Sequence, residues 1–307
     1  MTEPVHPRRR EGLSAMMTNP EKHLRKRPPR TGVVLVCAVL LWLGPFVESK
    51  ADPIDYNSFA ALTVEGYVGW MEGRMGFEQE PGAPTPGSLN DLYKDLGLPK
   101  DRKTLRLALA VRPLEHHLLR LYGSLPEYYR GANTTGRTLQ TRRATYAPGT
   151  EVVSEMTNGC FGFGYDLDFL VGPRWYAGFN GDLKYLYTKI RMSGAGVDLE
   201  DTLAINEMTP CLGAHVESKL PVPGLILPQP MTVGGFARMT YGMTPNFVNY
   251  VDISVGGSLD VRTAIGPVVS ARIGYEHESF FHNEHLFTGR TFEFDRNGVM
   301  FSIAGAF

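Results

Sequence analysis

The sequence predicts an all-β protein, an antiparallel transmembrane β-barrel of about ten strands, with eight or twelve strands as alternatives. Three observations predict this fold. A basic leader and a short apolar run come first, as in exported proteins. Segments of about ten residues then alternate apolar and polar side chains with a period of two, which is typical of strands that cross a membrane in a barrel. The chain also ends in such a segment, residues 297–307, whose last residue is Phe307.

The overall composition is that of an ordinary folded chain. Of the 307 residues, 43% are hydrophobic and 21% are charged, with 34 Gly, 22 Pro and 3 Cys. These values exclude a long disordered chain, a collagen-like repeat and a small disulfide-stapled scaffold. The formal net charge of −1 also argues against a nucleic-acid-binding protein, so no nucleic-acid partner is expected.

Residues 1–51 have the parts of a secretory signal peptide. Basic residues precede an apolar run at 32–47, and small residues lead to a cleavage site after Ala51. The basic residues are Arg8, Arg9, Arg10, Lys22, Arg25, Lys26, Arg27 and Arg30. A membrane-anchoring helix is the alternative, but the apolar run is shorter than the roughly 20 residues that a helical span needs. We therefore expect a signal peptide at 1–51 and an exported β-barrel at 52–307.

Four segments of the exported part show the alternation most clearly. They are 62–71, 104–112, 174–192 and 251–262, and weaker copies lie near 116–124, 150–165, 207–219, 231–243 and 267–280. In 174–192, Phe179 and Leu183 lie on the apolar face, and Asn180 lies on the polar face. The polar faces carry charges of both signs, as a hydrated or ion-paired lumen does: Glu65, Arg106, Asp182, Lys184, Arg238, Asp260 and Arg272. The same alternation also fits a soluble barrel whose apolar face points inward.

The last segment places Val299, Phe301, Ile303 and Phe307 on one face. A terminal strand that ends in Phe resembles the signal that marks outer-membrane barrels for assembly. This resemblance implies that the barrel assembly machinery is a partner of the chain through Phe307. Gly305 departs from the aromatic residue often found at the third position from the end.

An even number of strands leaves both ends of the barrel chain on the periplasmic side. Most long connections then lie outside the cell and most short ones face the periplasm. The long outer ones are 78–103, 125–149, 193–206 and 281–296, and the short periplasmic ones include 113–115 and 263–266. The exceptions are 220–230, a long Pro-rich periplasmic link, and a short link near 244–249.

The first long connection contains a candidate helix. Ser88 is expected to cap it, and Gly97 and Pro99 are expected to end it. Its Asp-Leu-Gly-Leu-Pro sequence, residues 95–99, resembles a first-loop pattern of uncharacterised Gram-negative outer-membrane β-barrel proteins. This resemblance implies the barrel fold and no activity.

Two cysteines, Cys160 and Cys211, remain after the leader. Both are expected to face the lumen, on strands separated by the 174–192 strand. Next-nearest strands lie roughly 9.5 Å apart, beyond the roughly 7 Å over which a disulfide joins two Cα atoms. We therefore expect two free thiols.

The candidate catalytic residues are His277 and Ser279, which share the apolar, lipid-facing side of their strand. A base two residues from a hydroxyl on one strand face is placed to activate it as a nucleophile. This His-x-Ser spacing resembles two families of outer-membrane acyl hydrolases, the lipid A deacylases and the outer-membrane phospholipases A. The resemblance implies that Ser279 is the nucleophile and His277 its base. Glu284 and Glu293 are the two candidates for an acid that orients the base. Phe280, which follows the serine, departs from the Asn usual in those families.

The alternative for this stretch, and the one that we expect, is an aromatic girdle that ends in a polar loop. The same loop is rich in His and Glu, which are ligands of zinc or nickel. Their spacing matches no metal signature, so no metal and no cofactor are expected.

Lys189 and Arg191 extend the 174–192 strand at the predicted outer surface. They are placed to contact lipopolysaccharide phosphates, because both side chains donate charge-assisted hydrogen bonds to phosphate. A solvated strand end is the alternative. Outer-membrane lipids and lipopolysaccharide are the expected partners.

These observations favour an outer-membrane β-barrel protein with a structural or narrow small-solute role and no catalysis. A barrel of about ten strands holds side chains or a narrow passage, so a general diffusion porin is not expected. The first alternative is a lipid-facing esterase that acts on lipid A or phospholipid through Ser279 and His277. The second is a soluble periplasmic β-barrel binding protein.

Overall fold

The computed structural model describes most of the exported part of the chain. The described residues are 58–76, 89–141, 144–194, 197–222, 229–244, 249–264, 266–283 and 291–307, without the side chains of 197–201 and 283. The predicted signal peptide at 1–51 lies outside these ranges.

The described residues form fourteen β-strands. They are β1 Ala60–Gly76, β2 Leu89–Asp91, β3 Asp101–Leu114, β4 His117–Ser124, β5 Glu127–Thr134, β6 Leu139–Gln140, β7 Thr145–Tyr146, β8 Glu151–Gly172, β9 Trp175–Gly194, β10 Val197–Val222, β11 Met231–Met243, β12 Asn249–Arg262, β13 Val268–Asn283 and β14 Thr291–Ala306. No helix in this part of the chain is long and apolar enough to cross a membrane.

The strands close into an antiparallel barrel. Its order is β1-β3-β4-β8-β9-β10-β11-β12-β13-β14, and β14 pairs back with β1 along sixteen residue pairs. The strand β5 continues the position of β4, because β4 pairs with the lower half of β8 and β5 with its upper half. Reciprocal backbone hydrogen bonds between Ala60 and Phe307 complete the seam at one end. The predicted barrel of ten strand positions is confirmed.

The two ends of the barrel differ in their connections. At the end where β1 begins and β14 finishes, two residues join β3 to β4 and two join β8 to β9, although eight join β10 to β11. At the opposite end two residues join β9 to β10, but 24 separate β1 from β3. Short turns mark the periplasmic end of bacterial barrels, so the end opposite to the start of β1 faces outward.

Two predicted outer loops, 193–206 and 281–296, are wrong over their described residues, because β9, β10, β13 and β14 occupy 193–194, 197–206, 281–283 and 291–296. Residues 195–196 and 284–290 lie outside the described residues. The four strands run beyond the apolar belt, where polar residues replace apolar ones on the outer face.

The helix predicted between Ser88 and Gly97 is also wrong over the described residues 89–97, and Ser88 lies outside the described residues. The stretch after β2 is a hydrogen-bonded turn, in which Asp91 Oδ1 accepts bonds from the amides of Tyr93 at 3.0 Å and Lys94 at 2.8 Å. Gly97 adopts a left-handed φ of 66°, and a Cβ atom there would lie 2.6 Å from the Ala132 carbonyl oxygen. The turn is shaped by this close packing, and Leu92, Leu96 and Leu98 are buried in the barrel core.

The wall has an apolar outside and a polar or packed inside. On β9, Phe179 is 59% exposed, whereas Asn180 is 2% exposed. Outward apolar side chains are likewise exposed on β9 at Leu183 and along other strands at Leu62, Val64, Val68, Leu105, Leu107, Leu109, Phe161, Phe163, Ile273, Phe301 and Ile303. An exposed apolar belt around a closed barrel is the surface that a lipid bilayer covers. The alternative of a soluble barrel with an inward apolar face is therefore wrong.

Candidate functional site

The paired strands β13 and β14 carry a polar group on the outer wall. On β13, His277 and Ser279 follow the outward-facing Ile273 and Tyr275 with the same alternation. In the β13–β14 register, His277 lies opposite Asn297 and Ser279 opposite Asp295. All four polar side chains therefore lie on the lipid-facing side, as predicted for His277 and Ser279.

Asn297 joins the group through two hydrogen bonds. Its Oδ1 atom lies 2.7 Å from His277 Nδ1 and accepts a hydrogen bond of 2.8 Å from the Tyr275 hydroxyl. With the amide in this orientation, His277 Nδ1 carries the proton and donates it to Asn297. The imidazole Nε2 is then the basic nitrogen. His277 is only 6% exposed, so its ring is held within this group.

Ser279 lies next to His277 on the same face. Side chains two residues apart on a strand stand side by side, with a rise of about 6.6 Å between their Cα atoms. A serine beside a histidine whose Nδ1 lies against an amide oxygen has the parts of a nucleophile, a base and an orienting residue. This arrangement is suited to acyl transfer.

The inward side chains of β13 pack inside the barrel and hold in place the strand whose outer face carries His277 and Ser279. Phe280, 1% exposed, packs inside the barrel with Phe292 and Phe294 at ring-centroid distances of 6.2 and 5.4 Å. Glu278 also points inward, where it pairs with Arg296 and accepts a 2.9 Å hydrogen bond from the Tyr250 hydroxyl. Phe280, the departure from the acyl hydrolase pattern, thus has a packing role on the opposite face from Ser279.

The hydrogen-bond partner of His277 Nδ1 in the structure is Asn297, which was not predicted from the sequence. Of the two acids proposed from the sequence, Glu284 lies outside the described residues. Glu293 lies opposite Phe281 in the register, four residues along β14 from Asn297. One signal was present, since Asn297 is a polar residue at the head of the outward series Val299, Phe301 and Ile303.

The His- and Glu-rich stretch is divided between the two sides of the wall. His277 lies on the outer face, whereas His282 is buried inside, with Nδ1 3.6 Å from Glu207 Oε1. His285 and Glu284 lie outside the described residues. Within the described ranges, no group of three or more His, Cys, Asp or Glu side chains is placed to hold a metal ion.

The two cysteines are unpaired, as predicted. Cys160 lies on β8 and Cys211 on β10, with β9 between them, and Cys211 is buried in the lumen.

The periplasmic half of the lumen is filled with ion pairs. Arg106 bridges Glu65 and Glu276 at 2.9 Å each, and Lys184 lies 2.7 Å from Asp252. Further pairs are Arg120–Asp182, Arg238–Asp166, Arg272–Glu217 and Lys219–Asp260. A cavity of about 310 Å³ remains among these side chains and reaches Phe59 and Ala306 at the periplasmic end. The predicted lumen with charges of both signs is confirmed.

The outer half of the lumen is a hydrophobic core. Inward side chains of β1, β8, β9, β10, β13 and β14 meet the 92–98 turn there. They include Met71, Met75, Leu96, Leu98, Val152, Met156, Ile190, Met192, Phe280, Phe292 and Phe294. Among the described residues, this core lies between the periplasmic cavity and the outer end of the barrel.

A closed barrel with an apolar belt, a filled lumen and short turns at one end is a transmembrane β-barrel of the bacterial outer membrane.

No protein-family model and no curated protein matches the chain. Solved structures similar to it are themselves outer-membrane barrels. The outer membrane protease OmpT from Escherichia coli has 8% identity and a TM-score of 0.40 over 80% of this chain and 97% of its own. The transport unit of the autotransporter AIDA-I from Escherichia coli has 8% identity and a TM-score of 0.41 over 92% and 99%. A FadL homologue from Pseudomonas aeruginosa has 11% identity and a TM-score of 0.29 over 82% and 90%.

Proposed function

We propose that the chain is an outer-membrane lipid ester hydrolase that acts on lipid A or phospholipid, with Ser279 as nucleophile. The observation that carries this proposal is the 2.7 Å contact of His277 Nδ1 with Asn297 Oδ1 on the lipid-facing wall. It fixes the imidazole in the tautomer that a general base requires. A merely structural girdle has no need of a histidine oriented in this way.

The reaction follows from this tautomer. His277 Nε2 accepts the Ser279 hydroxyl proton while Oγ attacks the ester carbonyl carbon. The tetrahedral intermediate collapses, and His277 returns the proton to the departing alcohol. Water, deprotonated by the same nitrogen, then attacks the acyl-serine and releases a fatty acid. Asn297 stabilises the protonated imidazole throughout, because its oxygen accepts the Nδ1 proton.

The position of the group in the wall suits a lipid substrate. His277 lies in a row with Asn297 and Trp70, and the row below contains Tyr275, Val299 and Val68. Below these rows the outer face is apolar, and above them it carries Glu72 and Asp295. The group therefore lies at the boundary of the outer leaflet, where the ester bonds of lipids lie and aromatic residues are enriched.

The test is hydrolysis of a labelled phospholipid and of lipid A by the purified, refolded barrel in detergent micelles. Wild type is expected to release fatty acid, and Ser279→Ala and His277→Gln are expected to lose at least about 10²-fold in rate. Ser193→Ala, on the exposed outer face of β9, is the matched control and keeps full activity. A fluorophosphonate should label wild type at Ser279, forming an Oγ–P bond and expelling fluoride. Absence of both turnover and labelling in wild type contradicts the proposal.

A structural or narrow small-solute role is the second candidate. The filled lumen favours it, since ion pairs and an apolar core occupy most of the lumen among the described residues, beside a cavity of about 310 Å³ at the periplasmic end. A folded wild-type barrel without turnover or labelling would be the result that supports this role.

A further inference from the structure

A buried ion pair lies on the lumen side of the two strands that carry His277 and Asn297. Glu278 lies opposite Arg296 in the β13–β14 register, one position along from the pairing of these two residues. Side chains alternate between the faces of a strand, so Glu278 and Arg296 point into the barrel. Both are buried and form an ion pair with each other. The inner pair and the outer pair therefore join the same two strands, on opposite sides of one layer of backbone.

Other strands hold both members of this ion pair in place. Glu278 accepts a hydrogen bond of 2.9 Å from the Tyr250 hydroxyl on β12. Arg296 Nη1 lies 3.8 Å from Glu127 Oε1 on β5, and Glu127 is itself paired with Arg102 on β3. The positions of the two charges are thus set by contacts with β3, β5 and β12 as well as by their contact with each other.

The other inward neighbour of His277 is Glu276, and its ion pair connects different strands. Glu276 pairs with Arg106 at 2.9 Å, and Arg106 lies on β3. In the β13–β14 register, Glu276 lies opposite Gly298, which has no side chain. Of the two carboxylates beside His277, Glu278 is therefore the one whose ion pair ties β13 to β14.

We propose that Glu278 and Arg296 are positioning residues for the base of the proposed hydrolase. Their ion pair fixes how β13 lies against β14, and this alignment places His277 Nδ1 against Asn297 Oδ1 on the outer face. A charged pair suits this role because hydrogen bonds between charged groups are strong and directional. The inference rests on the proposed function, since the base has to be positioned only where Ser279 is a nucleophile.

The first experiment measures lipid hydrolysis by the refolded barrel carrying Arg296→Gln. The value of kcat is expected to fall about tenfold with little change in KM, because the imidazole is displaced while the lipid-facing side chains stay the same. Arg296→Lys keeps the charge and is expected to recover most of that loss. The matched control is Arg272→Gln, which keeps full activity. It removes an inward arginine of β13 whose partner Glu217, on β10, retains its contact with Lys219.

A double-mutant cycle shows whether the ion pair acts through Asn297. Asn297→Leu already removes the acceptor of the His277 hydrogen bond, so adding Arg296→Gln should lower kcat by less than about twofold further. An ion pair with a merely structural role would instead multiply the two losses, and that result overturns the proposal. Full activity of Arg296→Gln overturns it as well.

Nuclear magnetic resonance of the barrel with ¹⁵N-labelled histidine separates this inference from the proposed function. The Nδ1 proton of His277, assigned by its absence in His277→Gln, is expected in wild type and should weaken in Arg296→Gln. Turnover by wild type with an unchanged Nδ1 signal in Arg296→Gln refutes the positioning role alone. A weakened signal without turnover by wild type supports the orienting effect of the ion pair and refutes the hydrolase.

A second variant keeps the test open if Arg296→Gln does not refold. Loss of one partner leaves a buried charge unpaired, which destabilises a fold more than loss of both. Glu278→Leu with Arg296→Met removes both charges, and this folded barrel should show the same fall in kcat and the same weakened Nδ1 signal. Wild-type values of both in the folded double variant overturn the proposal.

Discussion

Asn297 is the residue that turns a histidine on a lipid-facing strand into a candidate base. Its Oδ1 atom is shared by His277 Nδ1 and the Tyr275 hydroxyl, so both neighbours hold the amide in one orientation. An amide oxygen in this position selects the imidazole tautomer without adding a buried charge to the membrane boundary. An aspartate there would bring such a charge, at a cost in desolvation.

Substitutions at Asn297 and Tyr275 distinguish the orientation of the His277 imidazole from the packing of the side chains around it. Asn297→Leu is expected to lower kcat about 10²-fold with little change in KM, because the base loses its oriented tautomer. Asn297→Asp retains an acceptor and is expected to recover most of that loss. Tyr275→Phe, which removes only the hydroxyl, is expected to lower kcat by about three- to tenfold, the value of one hydrogen bond. Rates of lipid hydrolysis check these values, and equal activity of Asn297→Leu and wild type would contradict the assigned role.

The sequence predicts part of this group and misses the rest for a physical reason. His277 and Ser279 lie two residues apart, so strand alternation alone places them on one face. Asn297 meets them only through the pairing of β13 with β14. That register depends on how the chain turns between the strands, which the pattern within either strand does not specify.

At the scale of elements, the strands are longer than their apolar pattern indicates. The inward face of β9 continues through Leu186, Ile190 and Met192, while its outward face changes to Lys189 and Arg191. When the two faces are not separated, the polar residues of the outward face mask the apolar residues that continue on the inward face. The strand therefore extends past the point at which its outside turns polar, and the predicted loop 193–206 becomes a hairpin with a described strand on each side.

A surface ion pair between Asp95 and Arg137 holds the 92–98 turn at the outer end of the barrel. Arg137 Nη2 donates to Asp95 Oδ2 at 2.6 Å and to the Leu89 carbonyl at 2.7 Å. Burial alone raises the pKa of Asp95, but the hydrogen bonds from Arg137 and from the Asp91 amide outweigh it and lower that pKa. A lowered pKa in the folded state means that the pair stabilises the turn above the ordinary pKa of an aspartate. The contribution disappears as the pH falls through the lowered value.

We therefore expect the turn to open on acidification. The measurement is hydrogen exchange at the amides of Leu96 and Leu98, which are bonded to the carbonyls of Asp91 and Leu92, corrected for the intrinsic rate at each pH. Protection in wild type should be steady near neutral pH and fall below about pH 4.

The variants distinguish this pair from general acid unfolding. Asp95→Asn should be less protected at neutral pH and insensitive to acid in this range, whereas Asp101→Asn, at the exposed start of β3, should behave as wild type. Equal acid sensitivity in Asp95→Asn and wild type would refute the assignment.

For the molecule as a whole, the lumen has two different halves, and only one was predicted. The charges of the periplasmic half are visible in the sequence as polar residues on alternate positions. The apolar half is not visible in the sequence. Its inward residues, such as Leu186, are apolar like the outward residues beside them, so alternation does not distinguish the two faces there. The packing of this half also requires the 92–98 turn, which belongs to the connection between β2 and β3 and not to a strand of the barrel wall.

We expect the packed half of the lumen to determine whether the barrel conducts ions. Ions that enter the periplasmic cavity meet the core formed by Phe280, Phe292, Phe294 and the leucines of the turn. Reconstituted into a planar bilayer, wild type is therefore expected to give no steady current of the size of an open porin. Phe280→Ala with Phe294→Ala removes two interior rings, and at about 3–5 kcal/mol each it should also lower stability.

This double variant should pass flickering current while the barrel still migrates as a folded, heat-modifiable species. Ser302→Ala, which changes a buried lumen residue on β14 outside this core, should remain closed. A large steady conductance in wild type would show that the core opens readily in a membrane. A folded double variant that stays closed would instead place the barrier in the ion pairs, because Arg106, Lys184 and their carboxylates would then block the passage by themselves.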